Sequence, residues 1–205
     1  MSVYAIKPWF VRNLRGVEDA LVRRNVSPDA LSCAAFVSSV AGGGAIAAGA
    51  LYGRPLLWLA VPPLCVARLA LNALDGSVAR RTGAARPFGI VVNEVGDRLA
   101  DAALVGSLAT VADPALTGGA VAGVFLCSLT GVLAQLLTGT RATSGPMGKA
   151  DRVAVLAVAA TAAAVMGSRG PFEAALVLIA GGSLLTAGLR ISSLRREVDA
   201  RAIRK

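Results

Sequence analysis

Histidine is absent from the 205 residues, which excludes imidazole as catalytic base, proton relay or metal ligand. Aromatic residues make up only 4% of the chain and charged residues 16%, against about 25% charged in an ordinary soluble domain. The three cysteines, Cys33, Cys65 and Cys127, stand singly inside apolar stretches. They lack the paired spacing of a zinc or dithiol site and read as small hydrophobes. Apolar sequence fills the space that polarity leaves: 55% of the residues are hydrophobic and mean hydropathy is +0.66. These residues come in long blocks rather than alternating with polar ones, the pattern of an all-α integral membrane protein.

Six blocks can be delimited, roughly 28–52, 55–79, 88–111, 114–137, 150–168 and 171–189. Each is close to the ~20 residues that a helix needs to cross the hydrocarbon core. Ser27-Pro28, Asp113-Pro114 and Gly170-Pro171 put proline where a helix begins without losing a hydrogen bond, and Ser27 and Asp113 are suited to cap the free amides. Seventeen of the 21 basic residues fall before the first block, between the second and third, between the fourth and fifth, and after the sixth. Arg54 and Arg169 lie on the other side, and Arg68 and Arg98 inside spans. This distribution predicts both termini in the cytoplasm of a multi-pass protein of a bacterial plasma membrane. The net charge of +9 then reads as an orientation signal and a contact for anionic membrane lipids, not as a nucleic-acid surface.

Residues 1–27 have no continuous apolar core, so no cleavable signal peptide is expected. Phe10, Leu14, Val17 and Leu21 recur at helical spacing with Trp9 beside them, predicting an amphipathic helix in the cytoplasmic interface. The expected organisation is this interfacial segment, a six-helix domain over 28–189, and a basic cytoplasmic tail over 190–205.

Four of the twelve acids, Asp75, Glu94, Asp97 and Asp101, crowd the ends of the second and third blocks. A charge at the centre of a membrane helix costs ~2.5–3.5 kcal/mol on insertion scales, so such clusters usually mark function. Arg68, Asn72 and Asp75 share one helix face by their spacing; Glu94, Asp97 and Asp101 repeat that spacing on the next block, with Asn93 four residues before Asp97. Two helix ends joined by a short basic loop thus offer oxygen ligands for a hard divalent cation. The same residues also suit charge neutralisation within a bundle, or an ion pathway.

Residues 72–101 read NALDGSVARRTGAARPFGIVVNEVGDRLAD. This stretch resembles the signature of the CDP-alcohol phosphotransferases, D-x2-D-G-x2-A-R-x8-G-x3-D-x3-D. Asp75, Gly76, Ala79, Arg80, Gly89 and Asp97 all match at the correct spacing. The first and third signature aspartates are Asn72 and Asn93 here, as in a bacterial branch of the family with a similar arrangement. The resemblance implies a six-helix membrane enzyme, often dimeric. Such an enzyme transfers a phosphatidyl group from a CDP-alcohol, usually CDP-diacylglycerol, to a small alcohol acceptor and releases CMP.

Carried over by residue, the resemblance makes Asp75 and Asp97 charged ligands of one or two divalent ions, Mg²⁺ or Mn²⁺. Asn72 and Asn93 would be neutral ligands, with Glu94 and Asp101 supplying the missing charge if they reach the site. Asp97 would be the catalytic base, and Gly76, Ala79, Arg80 and Gly89 would accommodate the nucleotide. At the start of the fifth block, SGPMGKADR puts Lys149 and Arg152 beside free helix amides, a pocket for an acceptor phosphate. Arg68, a turn below Asn72, suits a lipid phosphate or a pair with Asp75. Two other classes stay open. One is a catalytically silent CDP-lipid or nucleotide binder created by the two asparagines; the other is a small transporter, disfavoured because blocks four to six are almost bare of charge.

Overall fold

The computed structural model describes residues 7–142 and 144–203. Residues 1–6 of the expected interfacial segment and 204–205 of the expected tail lie outside the described residues. Two short helices, α1 (Lys7–Asn13) and α2 (Arg15–Arg23), lead into α3 (Pro28–Leu51). A 3₁₀ segment, Pro55–Ala60, runs into α4 (Val61–Arg81), and α5 (Pro87–Gly106) ends in a 3₁₀ turn over Ser107–Thr110. Then follow α6 (Pro114–Thr138), α7 (Lys149–Met166) and α8 (Gly170–Ile203). No strand occurs among the described residues.

Local chemistry sets the helix starts. The Ala30 amide donates to Ser27 Oγ at 3.2 Å and the Leu116 amide to Asp113 Oδ1 at 2.6 Å, each just ahead of a helix-initiating proline. Four helical segments are long and apolar enough to cross a membrane: Pro28–Leu51, Pro55–Arg81, Pro114–Thr138 and Gly170–Arg201. Helices α5 and α7 stand where the third and fifth blocks were expected. They are interrupted by Glu94, Asp97, Arg98 and Asp101 on one and Lys149, Asp151 and Arg152 on the other. Charge, not length, sets these two helices apart from the other four.

Two expected segments take a definite form. The amphipathic stripe is divided between α1 and α2, and Val17 and Trp9 are exposed while Leu14, Leu21 and Val22 pack on Leu31, Leu74 and Val78. The basic stretch from residue 190 is helical, continuing α8 to Ile203. Its helix is reinforced by the pairs Arg195–Asp199 at 3.8 Å and Arg201–Glu197 at 2.8 Å.

The apolar core lies toward the end of the bundle remote from the acids. Trp58 meets Phe172 edge to face, centroids 5.2 Å apart, and its indole N–H donates to the Ile46 carbonyl at 3.1 Å. Gly49 makes room for it, since a Cβ there would lie 2.3 Å from Trp58 Nε1. Large aliphatic side chains such as Leu136, Val158 and Val165 point outward instead, as lipid contact requires. Helices α6 and α8 pack along each other at Gly123, which faces Leu184. Helix α3 lies against both α4 and α5, whereas α7 packs on α4 and α8.

Candidate active site between helices four, five and seven

Asp75 on α4 is buried and accepts hydrogen bonds from Ser32 Oγ of α3, at 2.9 Å, and from the Gly76 amide. Asp97, on α5, pairs with the Lys149 ammonium at the start of α7. Asp75 and the Asp97–Lys149 pair lie on three helices, α4, α5 and α7. One turn before Asp75, Asn72 has a buried amide Nδ2 with no hydrogen-bond partner among the described residues. An orphaned buried amide is costly and marks a place where a ligand group is missing. Whether nitrogen or oxygen points inward is interchangeable by a flip of the amide. Asn93 and Gly89 follow the Asp97 face of α5 at helical spacing and are half-buried.

Arg80 is exposed, and its Nη1 lies 3.3 Å from where a Gly76 Cβ would stand. Glycine at 76 therefore lets the guanidinium lie close to the helix. Its neighbours are occupied: Arg81 binds Asp19 at 2.6 Å and Glu18 at 3.5 Å, and Arg86 binds Asp29. Among the described residues Arg80 has no carboxylate partner. Ala79, half-buried beside it, adds no bulk.

The remaining expected site residues are placed differently. Asp101 lies one turn deeper than Asp97 and joins Arg68 on one oxygen and Arg152, at 2.6 Å, on the other. All three side chains are at most 4% exposed. Arg68 thus pairs with Asp101 and not with Asp75, because its long stem runs down α4 toward α5. Glu94 is held by Arg98 on its own helix and by Arg141 from the loop before α7, Nη2 to Oε2 at 3.1 Å. Glu94 and Asp101, expected to supply charge lost at Asn72 and Asn93, are thus each engaged by two arginines.

Two amides just ahead of α7 are likewise engaged. The Gly148 amide donates to Asp151 Oδ2 at 2.9 Å and the Met147 amide to Thr186 Oγ1 at 3.0 Å. Gly145, at φ +111°, brings the loop onto α8, where a Cβ would lie 2.3 Å from Thr186 Cγ2. Arg190 donates to the carbonyls of Ser144 and Cys127 at 2.9 and 2.8 Å. The loop is thereby fixed, and Lys149 projects from a rigid base.

Sequence reasoning missed Ser32, whose only signal is a hydroxyl in an apolar block, and the partnership of Arg141 with Glu94. No group of three or more acidic, cysteine or histidine side chains suited to a metal occurs among the described residues. The donor set still fits a hard divalent ion, since Asp75 and Asp97 interact across the helices and the Asn72 amide beside them is unpartnered.

No family model matches the chain. It is 32% identical over 169 residues to the inner membrane protein YnbA of Escherichia coli, spanning 80% of this chain and 82% of that one. Its fold is similar to a phosphatidylinositol phosphate synthase, PgsA1, of Mycobacterium tuberculosis, solved with CDP-DAG bound. The TM-score is 0.68 at 20% identity, covering 89% of this chain and 94% of that one. The same enzyme in complex with manganese and citrate gives a TM-score of 0.66 at 19% identity over 87% of each chain. The chain thus belongs to the family of that inner membrane protein and has the fold of the phosphatidylinositol phosphate synthase, with the signature run from Asn72 to Asp97 on α4 and α5.

Proposed function

We propose that the protein transfers a phosphatidyl group from CDP-diacylglycerol to a small alcohol at the cytoplasmic face of a bacterial inner membrane, releasing CMP. The observation that carries the reading is the Asp97–Lys149 pair across α5 and α7, with the buried Asp75 and the orphaned amide of Asn72 at the end of α4. The placement of this group at one end of the bundle supports α3 to α8 as six spans with both termini cytoplasmic, α1 and α2 lying at the interface. The small-residue contacts between helices suit a homodimer.

In this reading Arg80 and Lys149 bind the pyrophosphate and the phosphate of an acceptor that carries one; a planar guanidinium fits phosphate oxygens. Asp97 takes the proton of the incoming hydroxyl as its oxygen bonds to the phosphatidyl phosphorus. The bond from that phosphorus to the CMP oxygen breaks, and CMP leaves with the electron pair. Gly76, Ala79 and Gly89 leave room for the nucleotide. Ser32 and the Gly76 amide orient Asp75. Bound by Asp75 and Asp97, with Asn72 and Asn93 as neutral ligands, Mg²⁺ or Mn²⁺ would neutralise pyrophosphate charge. Arg68, Asp101 and Arg152 hold the three helices in register from below.

The pairing of Asp97 with Lys149 and the asparagines at 72 and 93 favour a second reading, a CDP-lipid binder without turnover. Full-length protein in nanodiscs, given CDP-diacylglycerol and a panel of alcohols, separates the two. Release of CMP with one acceptor, abolished by EDTA, is the expected result. Retention of CDP-diacylglycerol with no CMP release under any acceptor would favour the binder.

A further inference from the structure

The cations around the site already outnumber the acids. Asp75, Asp97, Asp101 and Glu94 stand among Arg68, Arg152, Lys149, Arg98 and Arg141, five positive charges to four negative. Asp101 is consumed by Arg68 and Arg152, so two carboxylates remain for ligands, and one of these is held by Lys149. That lysine is no loose surface group. It opens α7 behind the Gly148–Asp151 cap, on a loop tied to α8 by Met147, Ser144 and Gly145. Its ammonium is bonded to Asp97 across α5 and α7. Two divalent ions on two carboxylates beside an ammonium would leave a large positive surplus in a half-buried site, where repulsion is weakly screened.

We propose that the Lys149 ammonium is the built-in counter-cation of the Asp75–Asp97 site, so that the site takes a single divalent ion and takes it in competition with Lys149 for Asp97. The inference rests on the reading above that Asp75 and Asp97 bind a divalent cation. It assigns Lys149 a role in setting the number and affinity of ions, separate from holding a phosphate. When an ion takes Asp97, the displaced ammonium is left at the same place with no carboxylate partner. It is then free for an anionic group of the substrate, which couples ion binding to substrate binding.

The test is Mn²⁺ binding, read from the electron paramagnetic resonance signal of free Mn²⁺, to the full chain in nanodiscs of neutral lipid. The wild type should bind one ion per chain. Lys149→Met should still bind one, about tenfold more tightly, and Lys149→Arg should stay near wild type. Adding Asn72→Asp and Asn93→Asp to Lys149→Met should raise the number to two. Two ions in the wild type, or a Lys149→Met affinity within twofold of wild type or weaker, would overturn the proposal. Should Lys149→Met not fold, Asn72→Asp with Asn93→Asp alone must tighten Mn²⁺ binding, and failure to do so overturns it equally. Absence of Mn²⁺ binding in every variant overturns both this inference and the metal arm of the proposed reaction. One-ion binding that obeys Lys149, without CMP release, upholds the counter-cation and overturns only the transferase.

Discussion

Two layers of charge, one helical turn apart on the same helices, show how burial divides labour between like residues. The lower layer, Arg68–Asp101–Arg152, is almost wholly withdrawn from solvent, and both oxygens of its acid are bonded. The upper layer, Asn72, Asp75, Asp97 and Lys149, has side chains 14% and 26% exposed at Asp97 and Lys149, although each layer leaves buried nitrogen unpartnered, Asn72 Nδ2 above and Arg68 Nε and Arg152 Nε below. A buried carboxylate between two guanidiniums has no freedom to exchange partners, so the lower layer joins α4, α5 and α7. The upper one has partners that can be exchanged for a ligand. Proximity to a signature motif is thus no guide to chemistry unless the partners are known.

Removing a charge from the lower layer should do the most damage. Asp101→Ala leaves two buried guanidiniums without an anion and should cost about 3–5 kcal/mol of stability, seen as a large fall in the thermal unfolding midpoint in detergent. An Asp101→Ala protein melting like wild type would erase the distinction between layers. In the upper layer, Asp97→Ala should lower CMP release by about 10²–10⁴-fold while the melting midpoint holds.

At the apolar end, Gly49→Ala drives a methyl into the Trp58 indole and should cost about 1–3 kcal/mol by overpacking, with tryptophan fluorescence reporting the displaced ring. The smallest effect belongs to the exposed latch between α2 and α4. Its hydrogen bond from Arg81 holds the Asp19 carboxyl below the ordinary 3.8. The stabilisation is therefore present above that value and lost as pH falls through the lowered one. The slight advantage of wild type over Asp19→Asn in resistance of the N-terminal segment to proteolysis should vanish over that acid range.

What could be read from the sequence was whatever depends on neighbours along the chain. Ser27 and Asp113 cap the helices their prolines begin, and the signature residues share helix faces as their spacing requires. Pairings between helices were not legible. Spacing alone assigns Asp101 to the face of Asp97, but only the relative depth of α4, α5 and α7 gives it to Arg68 and Arg152. The capped start of α7 was equally hidden, because Gly148 and Met147 look free until Asp151 folds back and Thr186 arrives from α8. The basic end of the chain reads as a tail by charge, yet its acids four residues from its arginines let α8 run on.

In the proposed function the upper layer carries the reaction and the lower layer carries the structure. Its most direct test is CMP release from CDP-diacylglycerol by Asp97→Ala protein in nanodiscs, with Mn²⁺ and the acceptor that serves the wild type. Release should fall by about 10²–10⁴-fold in protein that melts as wild type does. Undiminished release from that variant would contradict it.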